Sequence, residues 1–253
     1  MKPLMMQVKC LAHQADAGLI RFCVALAGVD LFFIAVFSVH RIYTALYTGN
    51  TPILGDQWHI GSDWSYAEMF GYLKTAIIIS VLVSIRGYRQ RPIYLALILI
   101  FTGALLDDAL QVHERLGHGL ADALALQSFA GRMSPHFGEL IIWTILGLFL
   151  LAAAIVGFIR SPQQDRSNGL LLIGAFAVLV LFAVVVDLAH VLVKYEFRFR
   201  GADFLFTVME EGGEQITLSL TCGLAVLVHR ELRSRPRGGG KPLEVGAHAS
   251  PTS

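Results

Sequence analysis

The chain has 253 residues, 55% hydrophobic and only 15% charged, with a formal net charge of +1. That balance excludes a disordered chain and a basic nucleic-acid binder. Cys10, Cys23 and Cys222 are too few and too far apart for a disulfide-stapled secreted domain.

The remaining charges fall between and at the ends of apolar runs, which reads as an all-α polytopic membrane protein with six transmembrane helices. Residues 1–232 form one domain, and 233–253, rich in Gly, Pro and Ser, are expected to be a disordered cytoplasmic tail. The first span, near 19–46, carries Asp30, and the second, near 66–86, carries Lys74. These two enter from opposite sides and reach similar depth at about 1.5 Å per residue, so they are expected to pair. Before the first span no apolar core is followed by a small-residue cleavage site, so that span is expected to be an uncleaved anchor. His40, His59 and Glu68 lie near the outer ends of these two spans and are candidates to extend a site at that face.

The third span, near 92–115, ends in Asp107, Asp108, Gln111, His113 and Glu114. At about 100° per residue, Asp107, Gln111 and Glu114 share a face, while Asp108 and His113 point away from it. His118 joins that face only if the helix continues through Gly117. The fourth span contains the charge-free run Leu140–Ile159 and opens with His136-x-x-Glu139. The fifth contains the charge-free run Gly169–Val186 and ends with Asp187-x-x-His190. The sixth, near 203–229, opens with Glu210, Glu211 and Glu214. Glu210 and Glu214 lie on a stripe with Thr207, Thr217 and Thr221, whereas Glu211 turns aside and reads as solvated. Gly212 and Gly213 would let a neighbouring helix approach closely.

Orientation follows from Lys and Arg in the connections. Lys2, Lys9, Arg21, Arg86, Arg89, Arg91, Arg160, Arg166, Arg230, Arg233, Arg235, Arg237 and Lys241 lie on one side. Arg41, Arg115, Arg132, Lys194, Arg198 and Arg200 lie on the other. Both termini are therefore expected in the cytoplasm, in an inner (plasma) membrane. Tyr88 and Tyr94 mark the inner interface, and Tyr47, Trp64, Tyr66 and Tyr195 the outer one.

With this topology, spans three to six form a four-helix bundle and bring their polar groups to one depth, in the outer half of the bilayer. A single acid or histidine at a helix end is ordinarily just solvated. Polar groups at matching depth on four helices are not explained that way, since a charge inside a span costs about 2.5–3.5 kcal/mol. Carboxylates and imidazoles converging from a bundle are the ingredients of a carboxylate-bridged metal site. The expected metal ligands are Asp107, Glu114, His136, Glu139, Asp187, His190, Glu210 and Glu214. Glu210 and Glu214 also serve as the catalytic carboxylates. The excess of carboxylate over imidazole favours iron, with manganese, copper and zinc as alternatives.

The expected function is an oxygen-dependent membrane oxidoreductase acting on a lipid-like or hydrophobic substrate. Its partners would be membrane lipids and an electron donor, and no nucleic acid. Three other readings use the same residues: a zinc-dependent lipid hydrolase with a carboxylate base, a proton- or cation-coupled transporter, and a haem cytochrome with axial histidines.

An acid and a histidine end the third span, Ser134-Pro135-His136 opens the fourth, and Asp187-x-x-His190 and Met209-Glu210-Glu211 follow. This order resembles the six-helix copper-binding subunit of particulate methane and ammonia monooxygenases over about half of the chain. The acid-to-histidine spacing on span three and the loop before His136 depart from that pattern. The resemblance implies an oxidative metal site. The string Leu106-Asp107-Asp108…His113-Glu114 is also similar to uncharacterised bacterial multipass proteins.

Overall fold

The structure, a computed structural model, describes residue 11 and residues 15–47, 52–194 and 201–234. Tyr195, Arg198, Arg200 and most of the expected tail lie outside these residues, although Arg233 and Ser234 are helical. Among the described residues every regular element is helical. The main helices are α1 (Ala17–Tyr47), α2 (Tyr66–Arg89), α3 (Pro92–Ala109) and α4 (Val112–Ala123). After the short α5 (Gln127–Ala130) come α6 (Ser134–Ile159), α7 (Gln163–Val180), α8 (Asp187–Leu192) and α9 (Ala202–Ser234). A π-helical segment, Leu181–Val186, joins α7 to α8. Among the described residues, five helical stretches are long and apolar enough to cross a membrane: Ala17–Tyr47, Tyr66–Gly87, Pro92–Ala109, Gly131–Ile159 and Gln163–Leu192. This is the pattern of a multi-pass membrane protein. Their outward faces are apolar, as lipid contact requires, for example Leu31 and Phe32 on α1 and Leu148 and Phe149 on α6.

Local sequence explains where these helices start. Ser65 caps α2, its Oγ accepting the Glu68 backbone N–H at 3.2 Å. Proline occupies the first turn of α3 and of α6, where no intrahelical N–H bond is lost. The third span does not run to residue 115 as expected. It ends at Ala109, and Gln111 adopts the left-handed conformation at φ 51° before α4 begins. The buried Asp107 stabilises this break. Its Oδ1 accepts the His113 backbone N–H at 3.1 Å, one of the donors left open at the start of α4.

Helices α2, α3, α7 and α9 meet in one core, with Ile78 and Leu82, Leu97 and Phe101, Leu172, and Ala225 and Val228 packed together. Helix α9 lies against α1, α2 and α7, and α2 sits between α3 and α9. The second span therefore belongs to the arrangement that spans three to six were expected to form alone. Helix α4 folds back on α6 through two glycines. A Cβ on Gly138 would stand 2.0 Å from the Gly117 carbonyl oxygen, and one on Gly117 2.5 Å from the Glu139 nitrogen. Part of the segment between the third and fourth spans is thus a packed helix.

The expected Asp30–Lys74 pair is present and fully buried, with Nζ 2.7 Å from Oδ1. Lys74 also donates to the Gln215 carbonyl at 2.7 Å, and Ser219 Oγ donates to Asp30. Removing one partner of such a pair strands a buried charge, at a cost of about 3–5 kcal/mol, whereas replacing both removes the penalty. Lys74→Met is expected to lower the thermal unfolding midpoint in detergent sharply. The double variant Asp30→Leu/Lys74→Met should recover most of that loss.

Candidate functional site: a carboxylate-lined cavity

A cavity of about 410 Å³ opens at the end of the bundle where α2, α6 and α9 begin and α3 and α8 meet their neighbours. Helix α2 supplies Glu68 and Tyr72, the turn before it Asp63, and the end of α3 supplies Asp108. His113 and Glu114 reach it from α4, His136 and Glu139 from α6, and Asp187 from the start of α8. Glu210, Glu211 and Glu214 enter from α9. In all, nine carboxylates and two imidazoles line the cavity, with no lysine or arginine among the described lining residues. The rest of the wall is largely apolar, with Phe101, Leu105, Phe176, Leu179 and Leu218 toward the interior.

The imidazoles are held by carboxylates. His113 Nδ1 lies 2.9 Å from Asp107 Oδ2, and its ring packs on Trp143 at 5.3 Å between centroids. Glu139 is clamped between two rings, its Oε2 3.1 Å from His136 Nδ1 and its Oε1 3.2 Å from His118 Nε2. His190 Nδ1 lies 3.2 Å from Glu210 Oε2. Glu68 accepts from the Tyr72 hydroxyl at 2.5 Å and from the Trp64 backbone N–H.

The approach of α8 to α9 depends on Gly213, where a Cβ would stand 2.3 Å from the Phe182 ring in the π-helical segment. That segment directly precedes Asp187, and the extra residue per turn sets the direction in which Asp187 projects.

Several expected site residues converge as foreseen: Glu114, His136, Glu139, Asp187, Glu210 and Glu214 all line the cavity. The two aspartates of the third span are placed the other way round from expectation. Asp107, expected as a ligand, is 3% exposed and turned toward His113, while Asp108, expected to point away, opens into the cavity. Both nitrogens of His190, also expected as a ligand, face carboxylates, and it lines a smaller neighbouring space instead. Glu211, expected to be merely solvated, lines the cavity. Glu68 does so too, but His40 and His59 do not. The third span stops short of Gly117, but the separate helix α4 runs through it and brings His118 to Glu139. Asp63 and Tyr72 were not anticipated. Tyr72 carried a signal, because it lies four residues after Glu68 on one helix face.

The helix α4 groups have displaced protonation equilibria. For Glu114, burial and then the nearby Asp63 charge push the carboxyl above its ordinary value. For His113, burial pulls the imidazole down, but the bond to Asp107 and the charges of Asp107, Glu114 and Asp108 outweigh it, so the net displacement is upward. Among the described residues, no three His, Cys, Asp or Glu side chains stand grouped so that they could hold a metal ion.

Residues 18–228 match the model of a family described as a domain of unknown function, DUF8692, and the chain belongs to that family. No curated protein and no solved structure matches it.

A raised folded-state pKa at His113 means its protonated form contributes stability in full below the ordinary histidine value of 6.5. That contribution is lost as pH rises through the raised value. Asp107→Asn removes the opposing charge. Nuclear magnetic resonance titration is expected to show the His113 imidazole losing its proton at lower pH in this variant. The stability gap to the parent should narrow as pH rises.

Proposed function

We propose that this member of the DUF8692 family is an integral-membrane, metal-dependent enzyme acting on a lipid-like or otherwise hydrophobic substrate. The observation that carries the proposal is a cavity with nine carboxylates and no Lys or Arg among its described lining residues. Ionised carboxylates at this density repel one another, so cations must enter the space or protons must neutralise it. The lining is divided between a polar end and an apolar wall, which suits a substrate with a polar head and a hydrocarbon body.

In this reading all six long helices span the bilayer, α9 included, with its acids sheltered at the cavity. Arg86, Arg91, Arg160, Arg166 and Arg230 lie at one end of the helices and mark the cytoplasmic side of an inner (plasma) membrane. The cavity then lies toward the outer face. His136, Glu139, Asp187 and Glu214 would hold the metal. Their residue types suit iron, and also manganese, copper or zinc. The grouping requires His136 and Glu139 to turn from each other toward a shared ion. When bound, such an ion supplies Lewis-acid polarisation and, if it is iron or copper, oxygen activation fed by an electron donor. Glu210 is the acid–base group, because it lines the cavity while its Oε2 is bonded to an imidazole. A lipid oxidoreductase is the leading form and a zinc lipid hydrolase the alternative.

One observation favours a second reading, a proton- or cation-handling cavity without catalysis. The imidazoles are paired with carboxylates, and no three ligands are grouped among the described residues. Elemental analysis of detergent-purified protein from metal-replete cells separates the two. Stoichiometric iron, manganese, copper or zinc is expected, reduced to background by His136→Ala and by Glu139→Gln. Glu210→Gln is expected to keep the metal and lose turnover. Parent protein without metal above background would overturn the proposal.

A further inference from the structure

We infer that Asp203, His190 and Glu210 form a proton relay joining the surface to the cavity. The relay rests on the preceding proposal's acid–base group, Glu210, but not on its metal. His190 Nδ1 lies 3.2 Å from Glu210 Oε2, and its Nε2 lies 3.3 Å from Asp203 Oδ1. One imidazole therefore bridges two carboxylates. Glu210 lines the cavity, whereas the Asp203 side chain is 51% exposed at the end of the bundle and His190 only 14%. The path thus runs from an exposed carboxylate through a covered ring to an acid of the cavity wall.

The ring is fixed for this task. It stacks on Phe206 with an interplanar angle of 11° and centroids 5.6 Å apart. Asp203 and Phe206 both belong to the first turns of α9, so the ring's support and its outer partner move together. Arg41 of α1 contacts Asp203 Oδ2 at 3.2 Å, and Lys194 stands 3.8 Å from Oδ1. These cations compensate the charge of the outer carboxylate and hold it at the ring. His136 of α6, Asp187 of the relay's own helix and Glu211 of α9 face the same small space of about 280 Å³ beside His190. Lys194 lines that space too, but His190 and Glu210 are hydrogen-bonded directly, so no other group intervenes in the transfer.

A neutral imidazole has one N–H and one lone pair, so it can take a proton at one nitrogen and release another at the second. Inward transfer breaks the Asp203 O–H bond and forms N–H at Nε2. It then breaks N–H at Nδ1 and forms O–H on Glu210. Asp203 ends as the carboxylate, Glu210 as the acid and the ring neutral. Inward transfer leaves the ring proton at Nε2, and outward transfer restores the Nδ1–H tautomer. Outward transfer reverses each step.

The test uses metal-free, full-length protein in detergent, so it does not depend on the metal content that decides the preceding proposal. A caged acid releases protons by flash, and time-resolved infrared spectroscopy follows the carboxylic acid C=O band that Glu210→Gln removes. His190→Ala and Asp203→Asn are each expected to slow the appearance of that band by about tenfold or more. Added imidazole should restore the rate in His190→Ala but not in Asp203→Asn. The Asp203 variant leaves the interior untouched, so it decides the matter even if His190→Ala fails to fold. Unchanged rates in both variants would overturn the relay. So would a slowed His190→Ala that imidazole does not rescue, or a Glu210 band that fails to respond in the parent.

Discussion

A carboxylate is stable in a dry, low-dielectric interior only if something compensates its charge, and this cost organises the whole cavity end of the protein. No lysine or arginine lines the cavity among the described residues, so the compensating groups are imidazoles, hydroxyls and backbone N–H groups. His118 and His136 hold Glu139, Tyr72 and Trp64 hold Glu68, and His190 holds Glu210. Tyr72, Trp64 and His136 act locally, but His118 and His190 reach Glu139 and Glu210 from other helices, so the set of supports is complete only when the helices are assembled. Folding and formation of the site are therefore one event.

The protein meets the same cost in a second way deeper in the bundle. There Lys74 and Asp30 neutralise each other, and Ser219 and the Gln215 carbonyl complete the network with no surface exposed to solvent. Gln215 belongs to both regions, since its backbone carbonyl receives Lys74 and its side chain lines the cavity. A closed ion pair suits a structural role, because every donor and acceptor is already used. The cavity acids keep oxygen atoms open toward a common space, which is what binding or proton transfer requires.

Two local features let the cavity exist. At Gln111 the third span stops and turns, and Asp107 stabilises that turn by capping the next helix and orienting His113 at once. At Gly117 and Gly138 two helices approach until their backbones nearly touch, which brings His118 across to Glu139. Without the turn, α4 could not lie along α6. Without the glycines, it could not lie close enough for that bond.

The apolar runs by themselves determined the all-α character, the long helices and the Asp30–Lys74 pair, because hydrophobic length and charge depth are properties read along one chain. The gathering of Glu114, His136, Glu139, Asp187, Glu210 and Glu214 was legible for the same reason: alternating helix direction brings matching depths together. The tertiary structure alone decided which aspartate faces the cavity. The face shared by Asp107, Gln111 and Glu114 assumed a helix straight to residue 115, which the left-handed Gln111 interrupts, and Asp108 rather than Asp107 opens into the cavity. It alone placed α2 beside α9, which added Tyr72 to the site and chose Glu68 over His40 and His59. It alone showed His190 bridging Asp203 and Glu210. Helical phase is set within one segment, but a break in that phase and the choice of neighbouring helix depend on packing between segments distant in sequence.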